Sequence, residues 1–587
     1  MPVLSVLLVA LVSIGIYANT LTNGFVYDDA KQILANPWIT DVQYLPDIMT
    51  HDVWGFWPER AASSYYRPLM HIVNMMVYQA AGFSPWAYHL VNLLFHAANS
   101  VLVLLLATQL LASLGNASSR QIPLIAALLF AAHPIHSEPV NWAGGMPDLS
   151  FSLFYLLSFY FYMRSTDREN ATLPLRCLSL IGFVLALVSK EPALTLPVIL
   201  FAYDYSFKTD RLSMILRRLV PYIAIAAAYL AVRLVVLGEA TVSVTGTPFH
   251  QWIPDVFSIF ARYLGMLLLP IGLNAYHSLS PAESFFDGSV LIGVGVTIAF
   301  IASLIISFRK SGVVFLSLLF IIIPLLPALY IPAISGTPFS ERYLYLPSFG
   351  FVMLLALAIS GIMGRTRHGN LAVPIIGFLI VALYSPITIA RNQVWKDDYH
   401  LWSDVVRKSP DVGIPHNNLG RAYFAMGEVD RAIEQYRIAL RLNPDHAEAH
   451  NNLGAALATR NALVDAERHF LIALQLRPSY SDAHNNIGIL YGSSGNTDKA
   501  ITHFLDALRH RPDFADAHHN LGATYMSTGL LDRAIEQFRK ALALHPDAVN
   551  THLNLATAYE LKGLTNDARM HRARAQRLAG KKAGRGS

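Results

Sequence analysis

The sequence has little charge and almost no cysteine. Only 14% of its 587 residues are charged, against roughly 25% in an average soluble domain. The single cysteine, Cys177, excludes a framework of intrachain disulfides. The net charge of +5 is small for this length, and the basic residues lie in short segments between apolar runs. This pattern excludes a basic nucleic-acid-binding surface and is typical of a membrane protein.

Charge is missing altogether from long stretches of the first 390 residues. About 20 apolar residues are enough to cross the hydrocarbon core as a helix. The apolar runs predict eleven spans, at 3–21, 86–112, 122–137, 148–163, 177–189, 192–207, 219–238, 289–308, 312–330, 344–363 and 371–390. A further run, 256–272, contains Arg262 and is predicted to be a re-entrant or interfacial helix. Residues 1–21 lack the basic segment of a signal peptide, so we interpret them as a retained span.

Lysine and arginine in short loops predict the orientation, because such loops are enriched in positive charge on the cytoplasmic side. One set of loops carries Arg120, Arg164, Arg168, Arg176, Lys208, Arg211, Arg217, Arg218, Arg309, Lys310, Arg365 and Arg367. With this set inside, the N-terminus is also inside. The long loop 22–85, the connections 138–147 and 331–342, and everything after 390 are then predicted to lie outside.

The C-terminal part repeats with a period of 34 residues. The recurring residues are Asn418, Asn452, Asn486, Asn520 and Asn554; Pro444, Pro478, Pro512 and Pro546; Gly420, Gly454, Gly488 and Gly522; Ala432, Ala466, Ala500, Ala534 and Ala568; and Tyr436, Phe470, Phe504 and Phe538. Small residues let paired helices approach, the aromatic fills the space between them, and proline ends the second helix. This is the signature of tetratricopeptide repeats.

The predicted fold class is therefore all-α, with a polytopic helical membrane module followed by a soluble α-solenoid. We predict a membrane module over 1–390, a linker over 391–412, five repeats over 413–579 and a basic tail over 580–587.

The recurring asparagines predict a binding groove in the repeats. Asn418, Asn452, Asn486, Asn520 and Asn554 are expected on the concave lining, with Asn417, Asn451, Asn485 and His519 beside them. A column of amides can hydrogen-bond the backbone of an extended peptide without reading its sequence. This resembles the asparagine ladder in the repeats of the soluble O-GlcNAc transferase. In the alternative interpretation, part of the asparagine pattern only helps helices to pack.

Polar residues also follow several predicted spans on the outer side. Asp28 and Asp29 form an acidic pair after the first span and are candidates for a general base or a metal site, or for a solvated turn. Further candidates for a polar cavity are His133, His136, Glu138, Asp148, Lys190, Glu341 and Arg342. Each charge pair alone could be an anchoring salt bridge, but their convergence on one side favours a shared cavity. Lys190, Arg342 and Arg67 suit an anionic phosphate.

At these residues the sequence resembles the transmembrane and tetratricopeptide-repeat-containing O-mannosyltransferases, which belong to the GT-C class of membrane glycosyltransferases. The matching segments are Tyr27-Asp28-Asp29, His133 to Glu138, Ser189-Lys190-Glu191, Glu341 to Pro347 and Arg391 to Trp395. The resemblance covers nearly the whole chain, and a bacterial relative is favoured. It implies eleven spans, a site on the non-cytoplasmic side, and transfer of a sugar, typically mannose, from a polyprenyl-phosphate to a protein hydroxyl.

The resemblance also implies residue roles. Asp28 and Asp29 stand in the catalytic position of the first loop, and the phosphate-binding residues are expected to be Lys190, Arg342 and Arg67. The donor pocket is expected to include His133, His136, Glu138, Asp148 and Glu341. One departure is Met146, which stands where family members usually have an arginine two residues before the acid at Asp148. We therefore do not carry over to this chain the role of that arginine toward donor or acceptor.

The expected partners are a lipid-linked sugar, the membrane and an extended acceptor polypeptide, with no nucleic acid. No cofactor is required by this chemistry, and the sequence carries no strong metal signature, since Pro134 disrupts regular helical spacing between His133 and His136. Short loops favour a bacterial cytoplasmic membrane over the ER membrane. The alternatives are a GT-C enzyme acting on a glycan or lipid, a non-enzymatic membrane scaffold, and, less favoured, a transporter.

Overall fold

A computed structural model describes residues 3–57, 63–112, 121–167, 172–238, 249–278, 282, 284–330, 339–363 and 369–583. Arg60, Arg120, Arg168, Arg365, Arg367, the connection 331–338 and the end of the basic tail lie outside these residues. The chain divides into two compact units, and the boundary between them falls after Ser409. Every regular element in the described ranges is a helix, as the sequence predicts.

The first unit contains seventeen α-helices within the described ranges. They are α1 Val3–Tyr17, α2 Leu45–Thr50, α3 Pro68–Ala81, α4 Pro85–Leu111, α5 Ile122–Ala132, α6 Ser137–Asn141, α7 Met146–Ser165, α8 Leu173–Ser189, α9 Leu196–Phe207, α10 Leu212–Leu237, α11 Phe249–Leu268, α12 Gly288–Lys310, α13 Gly312–Ile322, α14 Leu326–Leu329, α15 Pro347–Met363, α16 Gly369–Asn392 and α17 Asp398–Lys408. Residues 391–412, predicted as a linker, include α17 and thus contribute to this unit.

Several of these helices are long and apolar enough to cross a membrane. Among the described residues, those of at least 18 residues are Val3–Thr22, Pro85–Leu111, Leu212–Leu237, Gly288–Lys310 and Ala372–Trp395. Shorter apolar helices are Ile122–Ala132, Leu173–Ser189, Gly312–Ile322 and Pro347–Ile362. Their outward side chains are apolar, as lipid contact requires. The multi-pass membrane module is confirmed, whereas the count of eleven spans stays a prediction.

Small residues let the helices of this unit approach closely. A Cβ on Gly293 of α12 would lie 2.4 Å from the backbone carbonyl of Phe257 in α11, and a Cβ on Gly350 of α15 would lie 2.1 Å from the carbonyl oxygen of Ser317 in α13. Such contacts are typical of helix packing in membranes. Helix α11 covers most of the run 256–272 and buries Ile259, Phe260 and Tyr263 in an apolar cluster. That it is re-entrant or interfacial and does not cross the membrane stays a prediction.

The long first loop has a folded interior that the apolar-run count does not reveal. Helix α3 and a series of short helical turns enclose an apolar cluster that includes Ile33, Trp38, Ile48 and Trp54. His71 of α3 is buried in this cluster and contacts Asn36 through Nδ1 at 3.1 Å and the carbonyl oxygen of Val53 through Nε2 at 3.2 Å. Asp28 and Asp29 therefore lie in a folded loop that has its own apolar core.

The second unit consists of five helix pairs. They are α18 Gly413–Ala425 with α19 Val429–Leu442, α20 Ala447–Thr459 with α21 Leu463–Leu476, α22 Ser481–Ser493 with α23 Thr497–His510, α24 Ala515–Ser527 with α25 Leu531–Leu544, and α26 Val549–Leu561 with α27 Thr565–Ala583. The recurring glycine and aromatic meet within each pair, as predicted. A Cβ on Gly454 would lie 2.7 Å from the Phe470 ring, which is too close for any larger residue.

Candidate active site

The acidic pair of the first loop divides into two residues with different surroundings. Asp29 is fully buried and accepts the N–H of Gly144 at 2.8 Å and that of Val26 at 3.1 Å. Burial raises the pKa of Asp29 to about 8, because desolvation outweighs these two hydrogen bonds. Asp28 is partly exposed. Asp29 thus ties the first loop to the turn before α7, whereas Asp28 remains accessible.

The backbone next to the pair is held in an unusual conformation. Tyr27 has φ +59°, a left-handed value that is uncommon for a residue with a side chain. Its N–H donates to Oδ1 of Asp398 at 2.9 Å, and its ring packs against Trp142 and Trp402 with centroids 5.4 Å and 5.3 Å away. A strained residue persists only where its surroundings over-determine it, and such residues cluster at functional sites. Asp398 was not anticipated from the sequence because it follows the last predicted span.

Three cations in this region each contact a carboxylate from another segment. Arg342 Nη1 lies 2.8 Å from Oε1 of Glu138, and Arg67 Nη2 lies 3.0 Å from Oε2 of Glu191. The third pair joins Lys190 to Asp148. Five of these six residues were predicted for the site, and the sixth, Glu191, adjoins Lys190.

The three pairs lie close enough to influence one another. Burial lowers the pKa of Lys190 to about 8 despite Asp148, and the positive charges of Arg67 and Arg342 act in the same direction as burial. Tyr343 links two of the pairs, because Lys190 Nζ lies 4.9 Å from its ring centroid and the Arg342 guanidinium 5.4 Å. The structure therefore brings the predicted phosphate-binding cations into one cluster, together with an aromatic residue that charge patterning alone did not single out.

Glu138 accepts three hydrogen bonds, two of them from Arg342. Its Oε1 accepts from Ser340 Oγ at 3.1 Å in addition to Arg342, and its Oε2 accepts the backbone N–H of Arg342 at 3.1 Å. The Glu138 side chain is 2% exposed, whereas that of Arg342 is 18% exposed and lies over the Trp142 ring at 5.3 Å. Arg342 is thus anchored from one side and keeps an accessible edge, an arrangement suited to binding an anion.

The charges of Asp28 and Arg342 act on the same neighbouring group, the hydroxyl of Tyr27. The hydroxyl of Tyr27 is influenced by the charges of Asp28, Arg342 and Glu138 together. The Trp142 ring also contacts both Tyr27 and Arg342, with its centroid 5.4 Å from that of the Tyr27 ring and 5.3 Å from the Arg342 guanidinium. The glycines after Trp142 allow this close packing, because a Cβ on Gly145 would lie 2.4 Å from the carbonyl oxygen of Pro139.

His133 and His136 lie in the packed interior beside this cluster. Both are fully buried. His133 Nδ1 accepts the N–H of Ile135 at 3.2 Å, and its Nε2 lies 3.0 Å from the carbonyl oxygen of Leu267. His136 Nε2 lies 2.8 Å from Ser348 Oγ, and its ring packs on Phe130. These contacts give the two histidines structural partners, and their predicted role in a donor pocket stays untested.

Glu341 faces a second polar network, away from its neighbour Arg342 in the chain. Its carboxylate accepts the backbone N–H of Asn274, lies 3.2 Å from His277 Nε2 and lies 3.9 Å from Arg391. Arg391 in turn contacts Asp404 of α17 at 2.6 Å. These contacts connect α16 and α17, at the C-terminal end of the membrane module, to earlier segments of the same unit. Sequence reasoning placed Glu341 in the pocket but did not identify this network, whose members come from four distant segments.

The recurring asparagines contact one another between repeats. Nδ2 of Asn452, Asn486 and Asn520 donates to Oδ1 of Asn417, Asn451 and Asn485, at 3.0, 2.9 and 2.9 Å. Asn554 Nδ2 meets His519 Nε2 at 3.4 Å. The accepting residues Asn417, Asn451 and Asn485 are buried, whereas the donating residues Asn452, Asn486 and Asn520 are half-buried. The packing interpretation therefore accounts for part of the pattern, and peptide binding by Asn418 and its equivalents stays a prediction.

Comparisons with known proteins bear on both units. The tetratricopeptide repeat family model matches residues 417–481 and 485–549. The human protein O-mannosyl-transferase TMTC3 is 27% identical over 463 residues, covering 72% of this chain and 49% of the relative. Human TMTC4 is 28% identical over 493 residues, covering 73% of this chain and 65% of the relative. The homologues of this chain are protein O-mannosyltransferases of the TMTC family.

The chain spans about half the length of TMTC3. Among solved structures, the repeat protein MamA matches at 26% identity with a TM-score of 0.26, covering 28% of this chain and 97% of that one. YrrB, described as a tetratricopeptide repeat protein with an unusual peptide-binding site, matches at 20% identity with a TM-score of 0.25, covering 30% and 91%. The resemblance to the TMTC family inferred from the membrane motifs is confirmed, as are the tetratricopeptide repeats.

The repeats of this chain also carry a recurring histidine with a variable partner. His416, His450, His484, His518 and His552 each place Nε2 about 3 Å from a proline carbonyl oxygen. Their Nδ1 atoms face residues of the second helix of the same pair, which are Gln435, His469, His503, Gln537 and His571. A carbonyl oxygen can only accept, so Nε2 donates, and Nδ1 of the neutral ring can only accept; where the partner is a histidine, the N–H of its Nδ1 is the donor.

Histidine pairs of this kind should make the repeats sensitive to acid. Burial and the neighbouring His450 lower the pKa of His469 from 6.5 to about 4. The unfolded chain then binds more protons than the folded one below pH 6.5, so stability should fall as the pH drops from 6.5 to about 4. We expect His469→Gln, which copies the glutamine at Gln435, to reduce the loss of hydrogen-exchange protection in α20 and α21 between pH 7 and pH 5, where protection is the exchange rate relative to that of the unfolded chain at the same pH.

The control for this experiment is His545→Gln, which replaces an exposed histidine outside the pairs. This variant should exchange like the original protein at both pH values. Equal acid sensitivity of the His469→Gln and His545→Gln variants would show that the pair is not the origin of the effect.

Proposed function

We propose that this chain is a membrane glycosyltransferase that transfers a sugar, which we take to be mannose, from a polyprenyl-phosphate donor to serine or threonine of an extracytoplasmic protein. The observation that carries the proposal is the cluster formed by Arg342, Lys190 and Arg67 next to the accessible Asp28. A pyranosyl phosphate needs cations for the departing phosphate and a base for the attacking hydroxyl, and both occur here. The printed names of the TMTC relatives point to the same reaction.

In the proposed mechanism Asp28 takes the proton of the acceptor hydroxyl as the oxygen attacks the anomeric carbon. The bond from that carbon to the phosphate oxygen breaks, and the electron pair leaves with the lipid phosphate. Attack opposite the leaving group inverts the anomeric centre. Asp29 acts as a positioning residue, because both of its oxygens are occupied by backbone N–H groups.

The cations stabilise the negative charge that develops on the leaving phosphate. Arg342 supplies the accessible guanidinium edge, which can bind two phosphate oxygens at once. Lys190, whose side chain is only 5% exposed, supplies a positive charge from a buried position in the cluster. Their carboxylate partners keep these side chains in place before the donor arrives, so little reorganisation is needed during the reaction. This chemistry requires no metal ion.

The repeats are proposed to hold an extended acceptor polypeptide on the same side of the membrane as the site. Tethering an acceptor to the enzyme raises its effective concentration at the catalytic residues. The favoured compartment is a bacterial cytoplasmic membrane, with the repeats facing away from the cytoplasm. The basic loops of the sequence support this orientation.

The test is transfer of radiolabel from polyprenyl-phosphate mannose to protein by the purified full-length chain. Envelope proteins serve as acceptors, and polyprenyl-phosphate glucose serves as a second donor. Label on protein that is released by β-elimination supports O-linked transfer. If label moves from neither donor to protein, glycan or lipid, the transferase proposal fails and the scaffold alternative is favoured.

A further inference from the structure

The third repeat contains a group of side chains that the proposed transfer reaction does not use. Among the described residues, His484, His503 and Asp506 form the one group of three potential metal ligands whose ligating atoms all lie within 4.8 Å of one another. His484 comes from α22, whereas His503 and Asp506 are three positions apart on α23. Residues at this spacing lie on one face of a helix, so the carboxylate and its imidazole point the same way.

The distances within the group suit a tetrahedral metal ion. The two Nδ1 atoms of His484 and His503 lie 3.1 Å apart. Two nitrogens bound at 2.0–2.1 Å to one tetrahedral zinc are separated by about 3.3 Å. A small relaxation of either ring is therefore enough to place an ion between the two nitrogens.

The tautomer of His484 is already the one that a metal ligand needs. Its Nε2 lies 3.1 Å from the carbonyl oxygen of Pro478, so Nε2 carries the proton and the lone pair of Nδ1 faces His503. A backbone carbonyl that fixes the second ring nitrogen in this way is the usual outer partner of a metal-binding histidine.

The other repeats serve as an internal comparison for the third ligand. His450 and His469 form the same pair of Nδ1 atoms at 2.9 Å, as do His552 and His571. The position of Asp506 is occupied in the other four repeats by Ile438, Ile472, Lys540 and Arg574. At this position, therefore, a carboxylate accompanies a histidine pair only in the third repeat.

A fourth potential ligand is also confined to this repeat. His510 stacks on His484 with ring centroids 6.1 Å apart. The same position in the other repeats is Leu442, Leu476, Leu544 and Leu578. Two departures from the repeat pattern, Asp506 and His510, therefore surround one histidine pair. Packing needs neither of them, because the other pairs form without them.

We propose that His484, His503 and Asp506 bind a zinc-type divalent cation that joins the two helices of the third repeat. The fourth position is filled by water or by His510. Asp506 contacts Arg509, whose side chain is 70% exposed and can turn into solvent when the ion binds. Imidazole and carboxylate ligands favour zinc over magnesium, which prefers oxygen ligands and keeps its waters. The site lies in the repeat unit, so its test is independent of sugar transfer.

The experiment is calorimetric titration of zinc chloride into the full-length protein, purified without a histidine tag and treated with a chelator. We expect one tight site per chain and no heat from magnesium chloride at the same concentration. His503→Gln should weaken zinc binding by at least about tenfold. This variant should fold, because Gln435 and Gln537 already occupy the equivalent position and contact their histidines at 2.7 Å.

Two further variants use the side chains of neighbouring repeats. Asp506→Ile copies Ile472 and should also weaken binding by at least about tenfold. His469→Gln removes the pair in the second repeat and should leave the affinity unchanged. The proposal is overturned if His503→Gln and Asp506→Ile bind zinc as tightly as the original protein, or if His469→Gln weakens binding to the same extent. A complete absence of tight zinc binding by the original protein would overturn it as well.

Discussion

Replacing Asp28 with Asn is expected to slow sugar transfer by about 10²–10⁴-fold while leaving the protein folded. Asn cannot accept the hydroxyl proton, and loss of a general base costs typically 10²–10⁴-fold in rate. Asp28 is partly exposed, so the isosteric amide should disturb little of the packing around it. The measurement is the initial rate of label transfer from polyprenyl-phosphate mannose to protein, with the thermal midpoint in detergent as a check of folding.

Asp29→Asn is the matched control because the two acids are adjacent but differ in environment. Burial raises the pKa of Asp29 to about 8, so this carboxyl is largely protonated at pH 7 and resembles a neutral amide. The amide can still accept the N–H of Gly144 but loses the hydrogen bond from Val26, at a cost of about 1 kcal/mol. We expect a lower thermal midpoint and transfer within about tenfold of the original rate. The opposite result, with Asp28 dispensable and Asp29 essential, would exchange the proposed roles.

The two acids illustrate what the sequence could and could not predict. Two adjacent carboxylates after an apolar span are visible in the sequence, and they indicate a site. The division of roles depends on Gly144, which lies more than one hundred residues away in the chain and supplies a backbone N–H. Sequence patterns carry no signal for a backbone donor. The support from Asp398 of α17 was equally hidden, because the segment after the last span was predicted as a linker.

The fold was more predictable than the site for a physical reason. Helices such as α4 and α12 follow from apolar length alone, and a period of 34 residues specifies the helix pairs. The folded interior of the first loop escaped prediction because its elements are short and its apolar residues are interspersed with polar ones. Convergence of Lys190, Arg342 and Arg67 was predicted from their shared side of the membrane. Their individual partners depend on helix packing, which no periodicity specifies.

The second large effect is expected from Arg342, whose removal should affect both stability and transfer. Arg342→Met leaves Glu138 buried without its cation, and breaking a buried pair in this way costs about 3–5 kcal/mol. The variant should also lose transfer, because the departing phosphate loses its guanidinium. A drop in the thermal midpoint alone cannot separate these two roles, and a second substitution is therefore needed.

Glu138→Gln combined with Arg342→Met makes that separation. The double variant removes the buried charge, and the amide that replaces the carboxylate would still accept the hydrogen bond from Ser340, so the thermal midpoint should recover most of its loss. Transfer should not recover, because the phosphate contact is still missing. The pair of Arg218 and Asp204, joined at 3.1 Å with Asp204 fully buried, provides the control. It involves the opposite set of loops and none of the proposed site residues.

Arg218→Met should destabilise the protein as Arg342→Met does, because it also removes the cation from a buried carboxylate, which keeps only the hydrogen bond from the Tyr162 hydroxyl among those described. Its double variant with Asp204→Asn should recover both the thermal midpoint and the rate of transfer. The Arg342 and Arg218 single and double variants are therefore expected to change the thermal midpoint in the same way. They are expected to differ in transfer, which only the Arg218 double variant should recover. Recovery of transfer in the Glu138→Gln/Arg342→Met variant would show that Arg342 only holds the fold together, and the phosphate would then have to be bound by Lys190 and Arg67.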